Sequence, residues 1–335
     1  MTGLPACLFL SDEAVGQLLD YPLAIDALRR AYSHPISGAH VPPRLVARGQ
    51  GVWLRGHGAV LPDGSYMGAK LFGFGRGKQV SYMVALWSQA TGHLVAVMDA
   101  HRITVVRTAA TSALAVETVL GRRAVHVGII GSGKEAYNHL QALCALGLVE
   151  RAWVYSPTRE RRQAFARRAQ DELGIDCEAV DRPEEAVRGR ELVVAATRPY
   201  GEEPSLLGAW LDGVRMAVSI GSTLPEQRET DVDVIRRAAR IVVDSEEVLS
   251  DTGDLLAALK AGVEVQGRVV TLNRAVMDSR ASGGLSRTDG LVLYKSCGSG
   301  VQDIAVAASV YERAARDPGA AGPPLPFVVV EPQAR

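Results

Sequence analysis

The feature that most restricts the fold is a rhythm that begins at Val125. VHVGII, AWVYS, IDCEAV, LVVAAT, MAVSIG and RIVVD are short, continuously apolar runs, and helical stretches separate most of them. A sheet with one wet face alternates polar and apolar residues, whereas a parallel sheet covered by helices on both faces needs runs of this kind. The pattern predicts a doubly wound α/β unit from about residue 123 to 290, with LVLYKS as a further strand.

The chain before this unit reads differently. Ser11 is placed to cap a short helix with Asp12 and Glu13 in its first turn, and Asp20 to cap a second one with Pro22 just inside it. From Val41 to Val97, Gly, Pro and Asp interrupt short runs such as YMGAKLFGF and YMVALWS. That punctuation predicts an antiparallel meander with turns at Asp63-Gly64 and Thr91-Gly92. HRITVVRTAATSALAVETVLG reads as a helix capped by Thr108 and ended by Gly121. After LVLYKS, VQDIAVAASVYERAARD is an amphipathic helix beyond the repeating unit, placed to return to the N-terminal part. The tail DPGAAGPPLP reads as extended.

Composition removes several functions. Lys+Arg and Asp+Glu both total 37, so there is no basic excess to neutralise a nucleic-acid backbone. No apolar run is expected to reach the roughly 18–20 residues that cross a bilayer. The start, MTGLPACLFLSDEA, lacks a basic residue before its apolar stretch and reads as a strand or loop entering a helix, not a secretory signal. The four cysteines stand apart with no CxxC pair, which argues against a disulfide framework or zinc cage and for a reducing cytoplasm. His57, His93, His101, His126 and His139 have no metal-ligand spacing, so no metal is assigned.

After VHVGII comes Gly131-Ser132-Gly133-Lys134-Glu135-Ala136, leading into AYNHLQALCALG. This fits G-x-G-x-x-G/A at a strand-to-helix junction. The first Gly allows a tight turn, the second a close approach to a pyrophosphate, and the small third residue close helix–strand packing. The helix N-terminus adds free N–H groups for the anion. The next strand ends Tyr155-Ser156-Pro157-Thr158-Arg159, without the Asp or Glu that accepts from a ribose 2′-hydroxyl in NAD sites. Ser156, Thr158 and Arg159 suit a 2′-phosphate instead, so NADP(H) is expected over NAD(H).

With RTAATS at 107–112, GSGKEA, IGSTLPEQRE and KSCGSGVQDIAVA in that order, the sequence resembles the ornithine cyclodeaminase/mu-crystallin family over nearly its whole length. The resemblance implies a Rossmann-type doubly wound parallel sheet, taken as residues 123–295, plus a second α+β substrate and dimerisation domain from 1–122 and 296–335. It further implies a homodimer that acts on small α-amino or α-imino acids with a nicotinamide cofactor. Arg44, Lys70 and Arg107 match the family's cationic substrate residues. Tyr82 stands where mu-crystallin-like members carry His, and Thr223 and Asp303 are candidate catalytic groups. Ser81, Thr108, Thr197, Ser219, Gly221 and Lys295 correspond to cofactor contacts.

Two departures bear on the reaction. Cyclodeaminases carry a Glu in the strand after the first Arg, where GVWLRG has Leu54 and Arg55, and an Asp after the glycine of a later turn, where Gly221 is followed by Ser222, Thr223 and Leu224. Cyclodeamination needs acid/base groups for deprotonation, ring closure and ammonia loss, and reduction of an imine needs fewer. The expectation is therefore a reductase of a small imino acid or the matching amino-acid dehydrogenase. An ammonia-releasing cyclodeaminase and a non-catalytic NADPH-dependent ligand-binding protein are the alternatives.

Overall fold

The computed structural model describes residues 7–197, 203–282, 289–317, 319 and 322. The first six residues and most of the Pro/Gly-rich tail, whose readings were given above, lie outside the described residues. The chain divides into two compact units, 1–107 with 299–335 and 108–298.

Among the described residues the elements run β1 Leu8–Leu10, α1 Asp12–Leu18, α2 Tyr21–Tyr32, β2 Leu45–Gly49, β3 Val52–Val60, β4 Tyr66–Phe74, β5 Val80–Ser88, β6 Leu94–Asp99 and α3 His101–Leu120. They continue β7 Val125–Ile130, α4 Lys134–Ala145, β8 Val149–Tyr155, α5 Arg159–Leu173, β9 Asp176–Ala179, α6 Pro183–Val187, β10 Leu192–Ala195, β11 Met216–Ser219, α7 Val232–Arg237 and β12 Ala238–Val243. The last are α8 Val248–Asp251, α9 Gly253–Lys260, β13 Val269–Thr271, α10 Leu272–Ser282, β14 Leu291–Lys295 and α11 Gly300–Ala314.

In the first unit the described strands form one sheet in the order β1-β6-β5-β4-β3-β2. Strands β2 to β6 form the expected meander, and only β1 joins in parallel. Gly64 and Gly92 take φ of +78° and +69° at the two turns foreseen in the sequence, a backbone region that glycine enters without a Cβ penalty. Ser11 and Asp20 accept from the Ala14 and Leu23 amides as N-caps. Helix α11 does return to this unit and packs on α2 and on β3, β4 and β5. It sits close because glycines line the contact: a Cβ on Gly300 would lie 2.2 Å from the Gly58 carbonyl oxygen, and one on Gly68 would lie 3.0 Å from Ile304.

Two expectations are corrected in α3. Thr108 is an interior residue of this helix and not its cap; the helix starts at His101, whose amide donates to Asp99 Oδ1 at 2.8 Å. The apolar face simply continues upstream through Ile103, which is fully buried. Helix α3 also has the length and mean hydropathy, 1.4, of a membrane span, contrary to the expectation that no stretch does. The residues of that window are 72 % buried within the protein, as befits a core helix.

In the second unit every strand pair is parallel, in the order β13-β12-β14-β11-β10-β7-β8-β9. All six apolar runs and LVLYKS are strands of this sheet, and LVLYKS, as β14, inserts between β11 and β12. The edge strand β13 went unread because it is only Val269–Thr271. Chain order reverses between β7 and β10, and the crevice beyond the carboxyl ends of strands at such a reversal is where α/β sheets bind ligands.

Gly300→Ala should lose about 1–3 kcal/mol, because its new methyl meets backbone that has nowhere to move. A urea midpoint equal to that of the parent would contradict the packing described here.

Candidate active site

The Gly131–Ala136 segment lies at the carboxyl end of β7, at the sheet's reversal point. Gly131 has φ +113°, and a Cβ there would sit 2.7 Å from the Ala196 carbonyl oxygen, so only glycine fits. Gly133 is the N-cap of α4 and supplies no side-chain cap, and a Cβ on it would meet nothing within 4 Å. The first turn of α4 therefore offers backbone N–H groups to open space, the arrangement that suits a pyrophosphate. Ala136 is fully buried, Lys134 is exposed on the first turn and Glu135 follows it half-buried.

At the end of β8, Ser156 is buried with its hydroxyl 2.7 Å from Ser132 Oγ, which ties the second strand to the glycine turn. Arg162 turns inward, donating to the Ser156 carbonyl at 2.9 Å and pairing with Asp181. Thr158 and Arg159 stay exposed at the start of α5, and Thr158 makes no side-chain cap bond.

A carboxylate that sequence reading missed organises the neighbouring loops of this unit. Glu229 is fully buried; its Oε1 accepts from the Thr197 amide at 2.7 Å and hydroxyl at 2.8 Å, and its Oε2 from Ser219 Oγ and the Gly221 amide, both at 2.7 Å. Burial pushes its pKa up, against the pull of Lys295 and these donors. Lys295, also fully buried, donates to Ser219 Oγ at 2.9 Å and pairs with Asp254 Oδ2 at 2.7 Å. Thr197, Ser219, Gly221 and Lys295 thus belong to one network. The Thr223 amide donates to Gln227 Oε1 at 3.2 Å, and Thr108 lies within α3, its carbonyl accepting from Ser112 Oγ. Asp244, also unread, holds Ser296 Oγ and the amides of Cys297 and Gly298 at 2.7–3.1 Å.

In the first unit, strand alternation puts Lys70 on the sheet face that α11 covers. Its side chain is 1 % exposed, and Nζ donates to Asp303 Oδ1 at 2.8 Å and to Thr104 Oγ1 at 3.4 Å. Arg107 Nε contacts the same oxygen at 3.0 Å as an ion pair, and its Nη1 donates to Gln302 Oε1 at 2.7 Å. Gln302 Nε2 in turn donates to the Tyr32 hydroxyl. His57, across from Lys70 in the β3–β4 register, brings Nδ1 to 3.4 Å from Asp303 Oδ2. Arg44 is half-buried immediately before β2, and its charge is felt at both Lys70 and His57. Tyr82 is half-buried and stacks on Phe72 with ring centroids 5.5 Å apart. Ser81, one residue earlier, is exposed on the other face of the strand.

The electrostatics follow from burial and charge count. Burial alone would push the Asp303 carboxyl up, but Lys70 and Arg107, with His57 donating, pull it well below the usual carboxylate range. Burial lowers the Lys70 ammonium to about 8, with Asp303 opposing and Arg107 and Arg44 adding to the drop. Burial likewise lowers His57 against the pull of Asp303. Asp303 is the carboxylate common to these groups, contacting Lys70, Arg107 and His57. Sequence reading reached Lys70, Arg107 and Asp303 but not His57, Gln302 or Tyr32. The signal for His57 was the hairpin register, since at position 57 it lies opposite Lys70, beyond the Leu54 and Arg55 considered there.

Comparison with known proteins agrees with these features. Residues 51–317 match the ornithine cyclodeaminase/mu-crystallin family. The chain belongs to that family. A Delta(1)-pyrroline-2-carboxylate reductase of Bacillus cereus is 30 % identical over 241 residues, covering 71 % of this chain and 72 % of that one. A structure of the Thermococcus litoralis Delta(1)-pyrroline-2-carboxylate reductase with NADH and L-proline superposes with a TM-score of 0.82 at 26 % identity, over 94 % of this chain and 99 % of that one. An archaeal alanine dehydrogenase dimer with bound NAD gives 0.83 at 26 % identity, over 96 % and 99 %. At the level of the family, the chain is an NAD(P)-dependent oxidoreductase of amino or imino acids.

Asp303→Asn would leave two buried cations without their shared counter-ion and should cost about 3–5 kcal/mol in urea unfolding. The sign with pH is fixed by the lowered carboxyl pKa: its contribution is complete above the ordinary value of 3.8 and is lost as pH falls below it. The variant should lack that acid-sensitive component, and an unchanged acid profile would refute the pairing.

Proposed function

We propose that the chain is an NADPH-dependent reductase of a small α-imino acid, or the matching amino-acid dehydrogenase in reverse. The observation that carries this reading is a cluster of cations in the first unit: Lys70 and Arg107 are 1 % and 6 % exposed and share Asp303, and the charge of Arg44 reaches Lys70. Clustered cations in a dry site bind an anion strongly, and a small amino or imino acid brings a carboxylate as its fixed handle. Arg44 and Arg107 would grip that carboxylate, with Lys70 beside the nitrogen. The orientation of the substrate and the fixed charges around it supply the catalysis.

The reduced nicotinamide, when bound, supplies the hydride. Preference for NADPH is supported by the end of β8, where no acid stands and Thr158 and Arg159 are exposed at a helix N-terminus. Two further readings accompany the function. A homodimer is supported by Leu45, Leu54, Leu71 and Met83, which are 36–54 % exposed on the sheet face away from Lys70, and by the dimeric archaeal relative. A reducing cytoplasmic setting is supported by four free cysteines, with burial raising the Cys7 and Cys177 thiols.

Purified protein supplied with NADPH and a set of cyclic and acyclic α-imino acids should oxidise the cofactor, faster than with NADH. Ammonia release from a diamino acid without net change in cofactor would favour cyclodeamination instead, and inertness toward every carboxylated imine and amino acid would overturn the proposal. Because Lys70 titrates at about 8, kcat/KM for the imino acid should fall as pH rises through that value. Lys70→Met should cost about 100-fold in kcat/KM, the worth of a charged hydrogen bond in a dry site, and remove the break at that pH.

A further inference from the structure

The side chain that the functional reading leaves unused is His57. It is 7 % exposed and lies directly across the β3–β4 ladder from Lys70, on the same sheet face. Its ring packs edge-on against Phe72 at 5.2 Å, the same ring that Lys70 Nζ approaches at 5.1 Å. Nδ1 faces Asp303 Oδ2 at 3.4 Å. A carboxylate that far below its ordinary range accepts and does not donate, so the proton of this contact sits on Nδ1. Nε2 then carries the lone pair, and it has no hydrogen-bond partner among the described residues. A buried imidazole fixed in one tautomer by a carboxylate, with its other nitrogen unengaged beside a cationic anchor, is the arrangement of a general acid–base group.

We propose that His57 exchanges the proton of the substrate nitrogen, with Asp303 as its positioning residue. This rests on the imino-acid reductase reading above. In reduction, the hydride adds to the imine carbon, the C=N π pair moves onto nitrogen, and nitrogen takes a proton from Nε2 of the His57 imidazolium. His57 is left neutral and recovers its proton from solvent. The sum is imino acid, NADPH and H⁺ to amino acid and NADP⁺. In the reverse direction the neutral Nε2 accepts the proton that nitrogen loses.

The groups that set the ionisation of His57 come from each element facing it: Asp303 of α11 favours the imidazolium, while Lys70 of β4 and Arg44 ahead of β2 oppose it, as does burial. The neutral base is therefore the resting form at neutral pH. Amino-acid oxidation should show kcat falling tenfold per pH unit on the acid side, below 6.5, since kcat reports ionisations of the bound complex.

The test uses the full-length protein with the imino acid that it turns over and the corresponding amino acid. His57→Gln and His57→Asn should lower kcat by about 10²–10⁴-fold while leaving KM within a few-fold, and the acid limb should vanish. Retention of the limb in both variants, or a loss confined to KM, would make His57 structural and overturn the assignment. A second readout needs no turnover: ¹⁵N resonances of the His57 ring should report Nδ1–H and a bare Nε2 at neutral pH. The opposite tautomer would also overturn the assignment. If the wild-type protein turns over no imino acid, the reductase reading falls and the role of His57 in it falls too, whereas an active wild type with an unaltered pH profile in the variants rejects His57 alone.

Discussion

Asp303 is the constraint on which the first unit is built. It is a fully buried anion, and it persists as an anion because Lys70 Nζ stands 2.8 Å and Arg107 Nε 3.0 Å from the same oxygen. Those distances require α11 to lie against the sheet without intervening side chains. Gly68 and Gly300 make that approach possible, since a Cβ on Gly300 would lie 2.2 Å from the Gly58 carbonyl oxygen and one on Gly68 3.0 Å from Ile304 of α11. The meander, the glycine spacing and the return of the last helix are thus parts of one requirement: to hold Lys70, Arg107, His57 and Asp303 together in a dry place. Removal of one partner from such a cluster costs more than the cluster contributes as a whole, which gives it a fixed geometry and little tolerance for change.

The second unit repeats the device for a different purpose. Glu229 ties together the loops that follow β10 and β11, through Thr197, Ser219 and Gly221, and Lys295 of β14 joins through Ser219 and Asp254. These loops leave the carboxyl ends of the parallel strands, the edge at which dinucleotides bind in sheets of this kind. Glu229 therefore does not need to touch a cofactor to matter for binding one. It fixes the backbone and hydroxyl groups of Thr197, Ser219 and Gly221 at that edge, as outer partners do for the inner ligands of other sites.

Much of this was legible in the chain because period and turn chemistry are local. Continuous apolar runs gave the parallel sheet, Asp63-Gly64 and Thr91-Gly92 gave the hairpins, and GSGKEA gave the tight glycine turn between strand and helix. The length of α3 was misread at Thr108 because a hydroxyl that suits a cap also fits a helix interior when its neighbours keep the apolar period. His57, Glu229 and Asp254 were illegible for another reason. Their roles come from partners between 8 and 246 positions away, and a buried carboxylate has no local signature that separates it from a surface one. Lys70 and Arg107 stood out because cations within Gly- and Ala-rich apolar stretches conflict with their surroundings, and such conflicts mark sites more often than scaffolds.

The central claim is that buried cations hold the carboxylate of the substrate. The most direct measurement compares NADPH oxidation with a cyclic α-imino acid and with the same imine lacking its carboxyl group. The account requires the carboxylated compound to be preferred in kcat/KM by more than about 100-fold, since charged hydrogen bonds in a dry site are each worth about 1.5–3 kcal/mol. Equal reduction of the two compounds would contradict it.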